Sequence, residues 1–264
     1  MRFDDDANIS AVQPSRRAVL ARNGRAIALI AAAAVAGKSS SALANCGGGT
    51  TGVGNGCCFL RGTAIRTVDG WRAVEDLKIG DMAPTRFSGV QPIRWVGRYT
   101  IAGNWAAGRK AAVRISASAI APGVPRADLV VTAGHSLLIA GLLFPAESLI
   151  NGKTITAVDA PAGGALEFFH VKLDRHDVID AEGAPSETMG AMRKDDPNFE
   201  AYAKLYGAEE EMIPACAPIA FNGPRSELAS RLRSAAAPWI DRRRPADVIR
   251  DDLEARAWDL TQAA

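Results

Sequence analysis

The chemistry open to this chain rests on four cysteines, Cys46, Cys57, Cys58 and Cys216, and three histidines, His135, His170 and His176. A cysteine attacks as its thiolate, and at an unperturbed pKa of about 8.5 only a few per cent is ionised at neutral pH. A nucleophilic Cys58 therefore needs a neighbouring base, and any amide nitrogen it displaces needs a proton donor. Histidine suits either task because its charge changes near neutral pH. His135 closes the run Thr132-Ala133-Gly134-His135, directly after the apolar Leu129-Val130-Val131, so a hydroxyl and an imidazole turn toward one point from a strand end. Taken alone, a histidine beside a strand is as readily a structural residue, and the plain reading of His170 on an alternating strand is that it faces solvent. No metal is expected. There is no CxxC pair, and on one strand His170 and His176 would stand on the same face about 20 Å apart. Four cysteines are also too few for a disulfide framework in a chain of 264 residues.

The elements that must hold these residues follow from periodicity. From Cys58 to about Gly183 the pattern is β. Thr63, Ile65 and Thr67 alternate into the Asp69-Gly70 turn, with Trp71 to Val74 as the return strand. Ser88-Gly89 marks another turn, and Pro92 to Arg98 alternates apolar and charged residues. Further strands are expected at Ala112 to Ile115, Leu129 to Thr132, Ser136 to Ile139, Lys153 to Val158, Leu166 to Leu173 and Asp177 to Asp180. Many short strands between turns predict an all-β domain.

After Met189 the period becomes helical. Phe199 to Tyr206 and Ser226 to Ala237 read as helices, the second with Ser226 as N-cap and with Leu228 and Leu232 one turn apart. Asp247 to Leu260 places Ile249, Leu253, Ala257 and Leu260 on one face. These helices are expected to pack on the β domain or to pair in a dimer.

Three blocks carry a family resemblance. Cys58-Phe59, Gly62-Thr63, the alternating Ile65 and Thr67, Asp69-Gly70, Val74-Glu75-Asp76-Leu77 and Gly80-Asp81 resemble the opening of the Hint (Hedgehog/intein) superfamily of autoprocessing domains. The resemblance is closest to its bacterial branch. Thr132-Ala133-Gly134-His135 resembles the T-x-x-H block, and FFHVKLDRHDVIDAEG resembles the last β block. The resemblance implies a horseshoe-shaped disk of short antiparallel strands spanning residues 58–188, to which the helical period adds an extension over 189–264. It implies that Cys58 attacks the carbonyl of Cys57 and turns the Cys57–Cys58 amide into a thioester by an N-to-S acyl shift. His135 becomes the general acid at the scissile amide and Thr132 its hydroxyl partner. Asp174 and His176 are carried over as helpers of the first or second step, while Asp76 and Asp81 are motif positions, and Gly80-Asp81 reads as a turn whose carboxylate caps backbone amides.

A splicing member would end this block with asparagine, whereas here it runs Ala181-Glu182-Gly183-Ala184-Pro185-Ser186-Glu187, so splicing is disfavoured. What remains is N-terminal cleavage. The substrate is the chain's own N-terminal segment, and water or a small nucleophile is the acyl acceptor. No cofactor is implied, no sterol-binding segment is recognisable, and turnover of other substrates is not expected. Two rivals stand beside this reading: a catalytically silent Hint-fold binding or structural module, and a Cys58–His135 protease dyad with an open cleft. A disulfide from Cys57, Cys46 or Cys216 to Cys58 would silence the nucleophile until reduced.

The N-terminus reads as an address. Ser15-Arg16-Arg17-Ala18-Val19-Leu20 resembles a twin-arginine export motif, followed by an apolar run from Ala26 to Ala36 and by Ala42-Leu43-Ala44 as a cleavage site. Residues 1–44 are thus expected to be a signal peptide. The run covers only about 17 Å of helix against a hydrocarbon core of about 30 Å, which disfavours a spanning segment. Export to the periplasm or beyond is the expectation, with an uncleaved N-terminal anchor as the competitor. Residues 45–57 are a glycine-rich linker. The net charge is +2, with no long like-charged block, so no nucleic-acid partner is expected.

Overall fold

The computed structural model describes residues 57–102, 112–158, 164–192, 194, 196, 198–207, 213–221 and 223–262. The signal peptide and most of the linker expected from sequence lie outside the described residues.

Two antiparallel sheets build the domain. The first runs in the order β10 (Ile155–Val158), β6 (Ala112–Ile115), β7 (Leu129–Thr132), β1 (Cys58–Leu60), β11 (Ala165–Leu173), β5 (Val90–Ala102), β4 (Met82–Pro84). The second runs β3 (Gly70–Ala73), β2 (Ala64–Thr67), β12 (Val178–Ala181), β13 (Ala184–Glu187), β8 (Ser136–Ile139), β9 (Leu142–Pro145). Every pairing between named strands is antiparallel, as hairpin connections require. One core lies beneath both sheets, with Phe59, Ile65, Ile93, Ile115, Leu129, Leu137, Phe144 and Leu173 among its members.

The β2–β3 hairpin forms as expected, but its turn residues are Val68 and Asp69. Gly70 opens the return strand at φ 117, a conformation that favours glycine, opposite Thr67. β6, β7 and β8 keep their expected bounds.

Three helices follow: α1 (Phe199–Tyr206), α2 (Pro224–Ala236) and α3 (Pro245–Gln262). Ser226 is not the N-cap of α2. That position falls to Gly223, and the Ser226 hydroxyl donates to the Gly223 carbonyl at 2.8 Å. α3 packs as its periodicity predicts: Leu253 and Ala257 are buried, and Leu253 and Ala246 join the main core. Leu228 and Leu232 of α2 instead stand exposed. α2 is held to α3 through Asp247, which accepts from Arg233 Nε at 2.6 Å and from Ser230 Oγ.

Candidate functional site

β1 is three residues long and lies between two longer strands, paired with β11 on one side and β7 on the other. This register puts Cys58 opposite His170 and Phe59 opposite Val131. Thr132 ends β7 one residue further on, and a tight turn, with the His135 amide donating to the Thr132 carbonyl at 3.0 Å, brings the His135 ring back under β1. The consequence is a buried cluster around Cys58.

The Cys58 amide donates to Thr132 Oγ1 at 3.2 Å. The His135 ring stands edge-on to Phe59 at a centroid distance of 4.5 Å, close to the Cys58 backbone. Neither of its ring nitrogens has a partner at hydrogen-bonding distance. Cys58, Thr132 and His135 are all 0% exposed. The sequence-predicted trio thus converges.

Two further residues join it that sequence reasoning did not assign. His170 is buried, not solvent-facing, and its Nδ1 lies 4.0 Å from Cys58 Sγ. Tyr99 lies near enough to the thiol to act on it, its buried hydroxyl without a hydrogen-bond partner and its ring stacked on Phe168. The correction for His170 has a physical cause: from Phe168 to Leu173 every residue of β11 is buried, so both faces of the strand are covered there and an alternating residue finds no solvent. The available signal was the apolar pair Phe168-Phe169 just before it.

Electrostatics set the resting state. Burial holds the Cys58 thiol far above its ordinary range, a contact with Tyr99 opposing this and Asp196 adding to it. Burial pushes His135 down to about 3 despite the nearby Cys58 backbone. Burial, helped by the Lys172 charge, pushes His170 down to about 4. At neutral pH the site holds a protonated thiol and two neutral imidazoles.

The other candidates lie apart from this cluster. Asp174 is about half exposed and pairs with Arg94 Nε at 3.0 Å. His176 follows β11 and meets Glu187 of β13, Nε2 to Oε1 at 3.0 Å, while its Nδ1 lies 3.2 Å from the Pro214 carbonyl. Asp81 accepts from the Lys78 amide at 2.8 Å and pairs with Arg72, a turn-capping role. Asp76 falls in the short 3-10 turn Val74–Asp76. Cys57 is disulfide-bonded, and Cys58 and Cys216 are free thiols, so nothing caps the nucleophile. Burial, with Glu187 and Asp177 nearby, pushes the Cys216 thiol up to about 12.

The Hint domain family model matches residues 57–192. The chain therefore belongs to the Hint domain family, whose members act on their own chain. Among solved structures it is similar to a DnaB intein from Synechocystis sp. PCC 6803, with 11% identity over 50% of this chain and 99% of that one, at a TM-score of 0.35. A bacterial intein-like domain from Clostridium thermocellum shares 12% identity over 50% of this chain and 97% of that one, TM-score 0.31. The MchDnaB-1 intein shares 13% over 48% of this chain and 98% of that one, TM-score 0.33. No curated protein matches the chain. No helix among the described residues is long and apolar enough to cross a membrane.

Proposed function

We propose that this Hint domain cleaves its own chain between Cys57 and Cys58. Cys58 Sγ attacks the Cys57 carbonyl carbon, the new S–C bond forms as the C–N bond to Cys58 breaks, and the thiol proton ends on the freed amine. The observation that carries this reading is the Cys58 amide held on Thr132 Oγ1 at 3.2 Å, with the buried His135 ring beside the Cys58 backbone. Thr132 orients the departing nitrogen, and His135, with two unpartnered ring nitrogens, delivers its proton. His170 stands on the sulfur side, where it can take the thiol's proton. Because both imidazoles rest neutral, the proton that His135 delivers is replaced by the one the thiol gives up, and both rings are neutral again once the shift is complete. Water then attacks the thioester and leaves a Cys57 carboxylate, or a small nucleophile becomes bonded to the Cys57 acyl carbon instead, and either outcome restores the Cys58 thiol. The last β block ends Ala181-Glu182-Gly183-Ala184-Pro185-Ser186-Glu187, with no asparagine there, which supports cleavage over splicing. Export of the chain rests on the Arg16-Arg17 motif and the small-residue run to Ala44.

One observation favours a second reading, a catalytically silent Hint-fold module. The thiol is 0% exposed and strongly held in its protonated form. The same burial argues against a protease dyad acting on other chains, because neither Cys58 nor His135 reaches a surface that a substrate could contact.

The test is the intact mass of the full chain carrying an N-terminal fusion, with and without hydroxylamine, which resolves a thioester without reducing disulfides. Nucleophile-stimulated loss of everything before Cys58 is expected, abolished by Cys58→Ala. His135→Ala and Thr132→Val should slow it, the former by about 10²–10⁴-fold. An unchanged mass would transfer the weight to the silent module.

A further inference from the structure

A second cluster of reactive side chains lies apart from the Cys58 cluster. One ring nitrogen of His176, a Glu187 carboxylate oxygen and Cys216 Sγ all lie within 4.8 Å of one another. They come from three separate pieces of chain: the turn after β11, the end of β13, and the segment 213–221. That segment is clipped to β9 by hydrogen bonds between Leu143 and both Pro218 and Ala220, each 2.8 Å.

The His176 ring carries a proton on a known nitrogen. Its Nδ1 lies 3.2 Å from the Pro214 carbonyl, which can only accept, so Nδ1 is the N–H donor. In the neutral ring Nε2 is then a lone pair, and it stands 3.0 Å from Glu187 Oε1, another acceptor. Two acceptors face each other inside the protein, with side-chain exposures of 2% and 0%. Neither atom has a hydrogen-bond partner. A buried pair of this kind needs something positive between its members.

We propose that His176, Glu187 and Cys216 form a binding site for a thiophilic divalent cation of the zinc class. Imidazole nitrogen, carboxylate oxygen and thiolate are all zinc donors, and a His that ligates through one nitrogen while donating its other N–H to a backbone carbonyl is the usual second-shell arrangement. Bonds of about 2.0 Å to N and O and about 2.3 Å to S put tetrahedral ligands roughly 3.2–3.6 Å apart. The His176–Glu187 spacing is already near that. Cys216 closes the rest, and because it is only partly buried it leaves the cation a way in. Cys216 itself packs in an apolar cluster with Leu138, Leu143, Val178, Ala215, Ala217 and Ile219. Water takes the fourth position, since the sulfur of Cys57, 3.7 Å from Glu187 Oε2, is in a disulfide. The cation fastens segment 213–221 to the β12–β13 hairpin. It also sits beside Cys57, the residue that supplies the acyl group in cleavage. The site stands whether or not cleavage occurs.

The experiment uses the full chain in a Cys58→Ala background, which stays uncut and lacks the other described free thiol. After chelator treatment without reductant, cobalt(II) is titrated as a spectroscopic probe, then displaced by zinc. One equivalent should give the intense visible bands of four-coordinate cobalt and a near-ultraviolet thiolate-to-cobalt band. Cys216→Ser should remove the thiolate band, and His176→Ala or Glu187→Gln should weaken binding at least tenfold. As a readout that needs no variant, zinc should protect Cys216 from alkylation, mapped by mass spectrometry. Absence of a thiolate band, or alkylation of Cys216 at the same rate with and without zinc, would overturn the proposal and leave a His176 imidazolium paired with Glu187.

Discussion

At Gly97 a single missing carbon decides where His170 can stand. A Cβ built there would lie 1.7 Å from His170 Nε2, and the two residues are direct partners in the β5–β11 ladder. Gly97→Ala must therefore displace the ring from its position beside Cys58. The expected cost is about 1–3 kcal/mol of stability, with cleavage slowed by about a hundredfold, read from urea unfolding and fusion mass. The two buried imidazoles also set a pH dependence. In the folded chain they titrate at about 3 and about 4, below the ordinary 6.5, so the unfolded chain binds protons first as pH falls. Their contribution to stability is complete above about pH 6.5 and declines toward pH 3–4, by about 2 kcal/mol per histidine at pH 5. Urea midpoints at pH 7.5 and pH 5 should show this loss, and His170→Asn should lose less. Cys58, Thr132 and His135 were legible in sequence because motif spacing is local. His170 was not recognised as their neighbour, since the Cys58–His170 pairing joins residues 112 apart and is set by sheet register.

Among the elements, legibility followed the clarity of the pattern. β6, β7 and β8 alternate or run apolar between turn residues and were placed to the residue. β13 lies at the end of the recognisable block because Ala184-Pro185-Ser186-Glu187 is polar and contains proline, yet Ser186 and Glu187 are fully buried, the Ser186 hydroxyl donating to the Ala184 carbonyl at 3.0 Å and Glu187 facing His176. β9 was missed because Leu142 to Pro145 follows only a two-residue turn, Ala140 and Gly141, both with positive φ. The helical pair α2–α3 depends on one carboxylate. Asp247 is 0% exposed, and although burial alone would raise it, hydrogen bonds from Arg233, Ser230 and the Arg244 amide hold it down to about 2. Asp247→Ala should cost about 3 kcal/mol and loosen α2 first, seen as early loss of amide-exchange protection in 224–236.

For the molecule as a whole, the C-terminal helices are not an appendage. Phe221, Ala246 and Leu253 belong to the same core as Phe59 and Ile65, and Phe221 stands edge-on to Phe144 at 5.6 Å. Leu253→Ala should cost about 2–4 kcal/mol, and a chain ended at Met192 should lose more, both measured by thermal unfolding. The sequence pattern of α3 predicted this contact, whereas the exposed Leu228 and Leu232 have no partner within the described residues. The placement of β1 carries a last consequence. Its three residues are held from both sides, by β7 and β11, and the bond to be cut lies just before its first residue. Cutting there severs the chain without opening either sheet, so precursor and product are expected to unfold alike. Folding and chemistry are then separable properties of this domain: a lineage could lose the nucleophile and keep a sound scaffold, and only the mass of the chain, not its melting point, would register the difference.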